Sequence, residues 1–141
     1  MKKMNNKGFS LIELIIVIAI MAILVAIIAP NLTKYLSKSK KNTDKKNADE
    51  IASQIQTCIS DYESEDGGAY GTVGACTIEW KESGATTTNA TFQSYLNAAI
   101  TSSTKSKEDG TYAKATISLK GTDATDGYKV VVTVGNATAS K

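Results

Sequence analysis

Histidine is absent from the 141 residues, and the chain holds only two cysteines and one proline. Without histidine it lacks the commonest general acid and base near neutral pH and the commonest transition-metal ligand. Serine and threonine are plentiful, but none has a base beside it that would make it a nucleophile, Lys105-Ser106-Lys107 included. A dominant charge is missing too. The formal net charge is +2 with 21% charged residues, which is no global signature of a nucleic-acid binder or of an enzyme for acidic substrates. The acids Asp61, Glu63, Glu65 and Asp66 read as a solvated patch rather than a paired-carboxylate active site. Cys58 and Cys76 are compatible with one disulfide outside the cytoplasm and with plain thiols inside it.

What the chain does have is a long apolar run. From Phe9 to Ala29 it is almost wholly aliphatic, and as a helix these roughly 21 residues span about 31 Å, the thickness of a hydrocarbon core. One charge interrupts it, Glu13, and a carboxylate within a membrane helix costs roughly 2.5 to 3.5 kcal/mol. A cation at the same depth would offset that cost. Cutting the chain before Phe9 would supply one, because the new α-amino group lies one helical turn from Glu13, on the same chain or a neighbour. The leader to Gly8 carries Lys2, Lys3 and Lys7. An ordinary secretory signal fits poorly, since Glu13 lies within the would-be apolar region and no small-residue cleavage pattern closes it. An uncleaved signal anchor is the stronger rival. Lys34, Lys38, Lys40, Lys41, Lys45 and Lys46 outnumber the leader lysines, so the charge rule for membrane orientation does not settle which side the head occupies.

Lys7-Gly8-Phe9-Ser10-Leu11-Ile12-Glu13-Leu14, followed by aliphatics up to Pro30, resembles the leader and N-terminal helix of type IV pilins and pseudopilins. The resemblance covers Lys7 to Pro30. It implies cleavage between Gly8 and Phe9 by a membrane prepilin peptidase, methylation of the Phe9 amine, and subunit assembly through Phe9, Glu13 and Pro30, with Glu13 pairing the Phe9 amine of an adjacent subunit. It also implies an assembly ATPase and an inner-membrane platform as partners. Many family members have glycine where this chain has Ala22, and alanine favours helix by roughly 0.8 to 1 kcal/mol, so any unwinding on assembly leans on Pro30.

Pro30 lacks an amide hydrogen and its ring clashes with the Ala26 carbonyl, which predicts a kink or local opening, or simply the end of the span. The lysine-rich stretch from Lys34 to Lys46 reads as a solvated helix face, open to lipid headgroups, to intersubunit ion pairs or, without specificity, to nucleic acid. Ala48, Ile51, Ala52, Ile55, Ile59 and Tyr62 recur at three and four residues, the pattern of a helix with one buried face. One nearly continuous helix from about Ser10 to about Tyr62 is predicted, stopped by Glu65-Asp66-Gly67-Gly68, with a loop from Ser64 to Ala75 that a Cys58–Cys76 bridge would staple to the helix. Thr77 to Lys81 alternates as a strand. Phe92, Tyr95, Leu96, Ala99 and Ile100 predict a short helix capped by Asn89 or Thr91. Tyr112–Lys120, with Ala113, Ala115, Ile117 and Leu119 on one face, and Tyr128–Val134 predict two antiparallel strands joined by Gly121–Gly127, and the tail from Gly135 reads as loose. Asp123 and Asp126 in that connection are a weak calcium candidate, which some pseudopilins resemble near their last strands; the spacing is no EF-hand, and no other cofactor is expected. Sequons at Asn31, Asn89 and Asn136 are short enough to arise by chance.

The expected fold is α+β, a long N-terminal helix packed on a small antiparallel sheet of three or more strands. Its divisions are a cleaved leader 1–8, a transmembrane and filament-core helix 9–30, a helix continuation 31–63 and a globular head 64–141. The expected function is that of a type IV pilus subunit, not an enzyme: a single-pass membrane precursor that polymerises with itself into an extracellular filament for adhesion or twitching motility. A pseudopilin of a secretion or DNA-uptake system is the alternative, and a membrane-anchored sensor or binding domain a second.

Overall fold

The computed structural model describes residues 8–67, 71–101, 104–122 and 125–141. The chain forms two compact units, Met1–Lys38 and Ser39–Lys141. Helix α1, Leu11–Tyr62, runs through both as 52 unbroken residues. It begins where Ser10 stands as the flanking residue and Glu13 occupies the third helical position, a pairing that favours helix initiation. The span does not end at Pro30: the helix continues past it to Tyr62, and the Thr33 hydroxyl donates to the Pro30 carbonyl at 3.0 Å. In the first unit every helical residue is exposed.

The second unit has a core of its own. After α1 the backbone widens into one π turn, Glu63–Gly67. Then follow β1 (Cys76–Lys81), β2 (Gly84–Thr86), α2 (Ala90–Ala99), β3 (Lys114–Leu119), β4 (Tyr128–Val134) and β5 (Ala137–Ser140). The strands form one antiparallel sheet in the order β2-β1-β3-β4-β5. Period-two alternation puts Ile78 and Trp80 of β1, Ala115 and Ile117 of β3, and Val130, Val132 and Val134 of β4 on the buried face. The α1 stripe Ala48, Ile51, Ala52, Ile55, Ile59 and Tyr62 joins them in a single cluster, as its spacing predicts. Helix α2 adds Phe92 and Leu96, both fully buried, and Phe92 meets the Tyr62 ring edge to face at 5.6 Å. Of the two candidate caps Asn89 is the one used: its Oδ1 accepts from the Phe92 amide at 2.9 Å, and its Nδ2 donates to the Tyr62 hydroxyl at 3.2 Å.

Three expectations are corrected. The tail is not loose: Ala137–Ser140 is an edge strand, because Gly135 at φ +58° turns the chain back and lets Val130 and Lys141 exchange backbone hydrogen bonds. Its short alternation of small residues carries little hydrophobic signal. Strand β2, only three residues, also escapes the pattern. Leu119 leaves the buried face at the end of β3 and is 40% exposed. Finally, the Cys58–Cys76 bridge is not formed; both are free, buried thiols. The Cys58 thiol donates to the Tyr95 carbonyl of α2 at 3.8 Å, whereas the Cys76 side chain lies by Thr87 ahead of that helix. Burial, and secondarily the Asp61 charge, push the Cys58 thiol up to about 11, and burial raises Cys76 as well, so neither is a reactive thiolate. The loop is closed instead by Tyr128, whose hydroxyl donates to Glu63 Oε1, while the Gly71 amide donates to the same carboxylate at 3.0 Å and to the tyrosine oxygen at 2.9 Å.

Candidate assembly site

Gly8 and Phe9 precede the first helical turn and are exposed, Phe9 to 94%. Beside them Glu13 Oε2 accepts the Ser10 amide at 2.8 Å. That bond fixes the helix start immediately after the Gly8–Phe9 junction, leaves the junction outside the helix, and gives the carboxylate one donor from its own chain. Leu11, Ile12 and Leu14 around it are all exposed, as are the aliphatics from Ile15 to Ile28. An apolar surface on every side of a helix has no place in water: such a helix belongs in a bilayer or among other helices. By length and mean hydropathy, 3.3 over its best window, it can cross a membrane. Within either surrounding, Glu13 is the residue with an unmatched charge to place.

The sequence-derived candidates therefore divide. Gly8, Phe9 and Glu13 are brought together at one helix end, and Pro30 lies in the same exposed segment. Cys58 and Cys76 belong to the core. Asp123 lies outside the described residues; Asp126 is exposed and packs its carboxylate against Gly121. Among the described residues no three potential ligands of the histidine, cysteine, aspartate or glutamate type gather as a metal site would require.

Residues 3–29 match the family described as the prokaryotic N-terminal methylation motif. By this segment the chain is similar to type IV pilins. It is 35% identical over 81 residues to the type IV major fimbrial protein FimA of Dichelobacter nodosus, a match covering 57% of this chain and 46% of that one. It is 40% identical over 60 residues to the prepilin peptidase-dependent protein A of Clostridium perfringens, covering 42% and 43%. A ComG operon protein 3 homolog of Bacillus licheniformis is 34% identical over 65 residues, 46% of this chain and 63% of the relative. The chain thus spans about half the length of the first of these relatives. No solved structure matches it.

One residue that pattern reading placed on a solvated face is buried. Asp44, within the lysine-rich stretch of α1, is fully enclosed and holds the turn that follows α2: Ser106 Oγ donates to it at 2.6 Å, the Lys107 amide at 2.6 Å and the Glu108 amide at 3.1 Å. Burial pushes the Asp44 carboxyl up, but the hydrogen bonds from Lys107, Ser106 and Glu108 outweigh it, and the net displacement is below the usual aspartate value. Its only signal in the sequence is to be the lone acid among six lysines.

Proposed function

We propose that this chain is a structural, non-enzymatic subunit of a type IV pilus: a single-pass membrane precursor that a prepilin peptidase cuts between Gly8 and Phe9 and that then polymerises through residues 9–30. The observation that carries the reading is the pairing of a fully exposed apolar helix with a single carboxylate one turn from the cleavage junction. In lipid the helix is solvated, and in a filament it exchanges lipid for neighbouring helices, so hydrophobic burial changes little and packing fit selects the position. Glu13 adds direction. Meeting the free amine of Phe9 on an adjacent subunit, it neutralises two charges at once and sets the axial register. Nothing in the chain hydrolyses a nucleotide, so extrusion falls to an assembly ATPase acting through an inner-membrane platform, and the product is an extracellular filament serving adhesion or twitching motility.

The likeness to the ComG operon protein 3 homolog supports a second reading, a subunit of a short pseudopilus, with the same processing and packing chemistry. Mass spectrometry of the N-terminal peptide from the native host tests the common core of both. A peptide beginning with methylated Phe9 is expected; one that retains Lys7 and Gly8 would leave an uncleaved anchor and no filament subunit. Electron microscopy of sheared cell-surface material separates the two readings by fibre length.

A further inference from the structure

Charge is distributed along α1 in two blocks. Lys34, Lys38, Lys40, Lys41, Lys45 and Lys46 form the first, and the one acid among them is the buried Asp44. From Asn47 to Trp80 there is no lysine, while Asp49, Glu50, Asp61, Glu63 and Glu65 all fall there. The helix therefore ends on acids with no basic residue in its last turn, so these carboxylates add to the negative end of the helix dipole instead of opposing it. Within the chain, Glu63 and Glu65 are served by the neutral hydroxyls of Tyr128 and Tyr95.

The basic block has a shaped counterpart. A groove of about 430 Å³ lies between Lys41, Asn42 and Lys45 of α1, Glu108 of the following turn, and Asn136 and Thr138 of the β4–β5 hairpin. Its walls are fixed. Asp44 binds the turn to the helix, and Gly135 seats the hairpin so close to that turn that an added Cβ would stand 2.5 Å from Ser106 Oγ. Glu108 answers only part of the groove's charge, pairing with Lys41 at 3.5 Å.

We propose that this groove receives the acidic end of α1 and its π turn, Asp61 and Glu65, from a second copy of this chain. The inference rests on the filament reading. The two surfaces are different patches of one molecule, so the contact is heterologous and propagates without closing, as an open polymer requires. Lys45 and Asp61 are about 16 residues apart on one helix, which makes the two copies displaced by roughly 24 Å along the helix direction. The contact is electrostatic and exposed at its rim, so it weakens with salt, whereas packing of the apolar helices does not.

Zero-length carbodiimide coupling, which joins an amine to a carboxylate only in direct contact, tests this on filaments sheared from the native host. The expected result is a ladder of covalent multimers on denaturing gels, with Lys41 or Lys45 joined to Asp61 or Glu65 in the digested peptides, and no ladder from detergent-dispersed monomers. Lys45→Asp and Asp61→Lys should each lower sedimentable filament about fivefold at moderate salt, and the double swap should restore it. Filaments that assemble but give neither the cross-link nor rescue by the swap would overturn the contact and leave the filament reading standing. Failure of the wild-type chain to form filaments at all would overturn both.

Discussion

The same helix is built by two different rules on either side of residue 38. Up to that point its apolar residues face every direction and none is buried. Beyond it only one stripe is apolar, and that stripe lies in the core with the sheet and α2. The second unit buries its own apolar residues; the first depends on what surrounds it. Local sequence makes both helical, and the angular spread of the apolar residues decides whether the helix buries them in the head or presents them outward. Stability experiments on the head should therefore be indifferent to changes in the first unit, and assembly experiments should respond chiefly to them.

The largest expected effect breaks the assembly side alone. Glu13→Ala would leave the Phe9 amine of a processed neighbour unpaired in an apolar surrounding, at a cost of about 3 to 5 kcal/mol for half of a buried pair. Filaments should be absent or misregistered by electron microscopy, cleavage should persist by mass spectrometry, and urea unfolding of the head should be unchanged. Normal filaments from this variant would remove the charge-pairing account. The converse change is Phe92→Ala. It removes a fully buried ring that packs on Tyr62, and should destabilise the head by about 3 to 5 kcal/mol in denaturant titration while the helix remains able to enter a membrane.

Much of this division is legible in the chain, and the exceptions share a cause. The 21-residue apolar run, the three- and four-residue stripe from Ala48 to Tyr62, and the alternation of β1, β3 and β4 all speak through hydrophobic spacing. The features missed carry no such signal. Strands β2 and β5 are made of glycine, alanine, serine and threonine and are held by backbone pairing to a neighbour, so they become visible only once that neighbour is placed. Asp44 is polar, sits among lysines and looks solvated; its burial is decided by a turn about 60 residues later in the chain. Two cysteines suggest a bridge wherever a chain is exported, yet here the Cys58 thiol meets the Tyr95 carbonyl of α2 and Cys76 lies by Thr87 in the segment before it. At the helix start Glu13 is legible as the one acid in the apolar run, whereas its bond to the Ser10 amide is not.

Asp44 sharpens the comparison from the head's side, because it is a charge the head neutralises internally, where Glu13 is one that assembly must. Its folded carboxyl ionises below the ordinary value near 3.8, so it stabilises the head above that pH, and the contribution is lost as pH falls from there through the lower folded value. Asp44→Asn keeps the shape but turns one acceptor toward three donors, and should cost about 1 to 3 kcal/mol at neutral pH. Thermal melts by circular dichroism from pH 7 to pH 2 should show the wild type and the variant converging at the acid end. A constant difference across that range would mean that Asp44 acts by packing and not by charge.

The smallest expected effect is at the α2 cap. Asn89→Ala removes the acceptor for the Phe92 amide and the donor to Tyr62, at a cost of about 1 kcal/mol for a lost N-cap. Because the cap sits on the head's own core, the change should lower the denaturation midpoint without altering the yield of filaments from processed subunits or their resistance to salt. Asn89→Asp restores the capping oxygen but offers the Tyr62 hydroxyl no amide donor, so it should recover part of the loss and show how the two bonds share it. If either variant changed filament yield by more than its change in head stability explains, the two units would be coupled, and the boundary near residue 38 would be a feature of packing without being one of function.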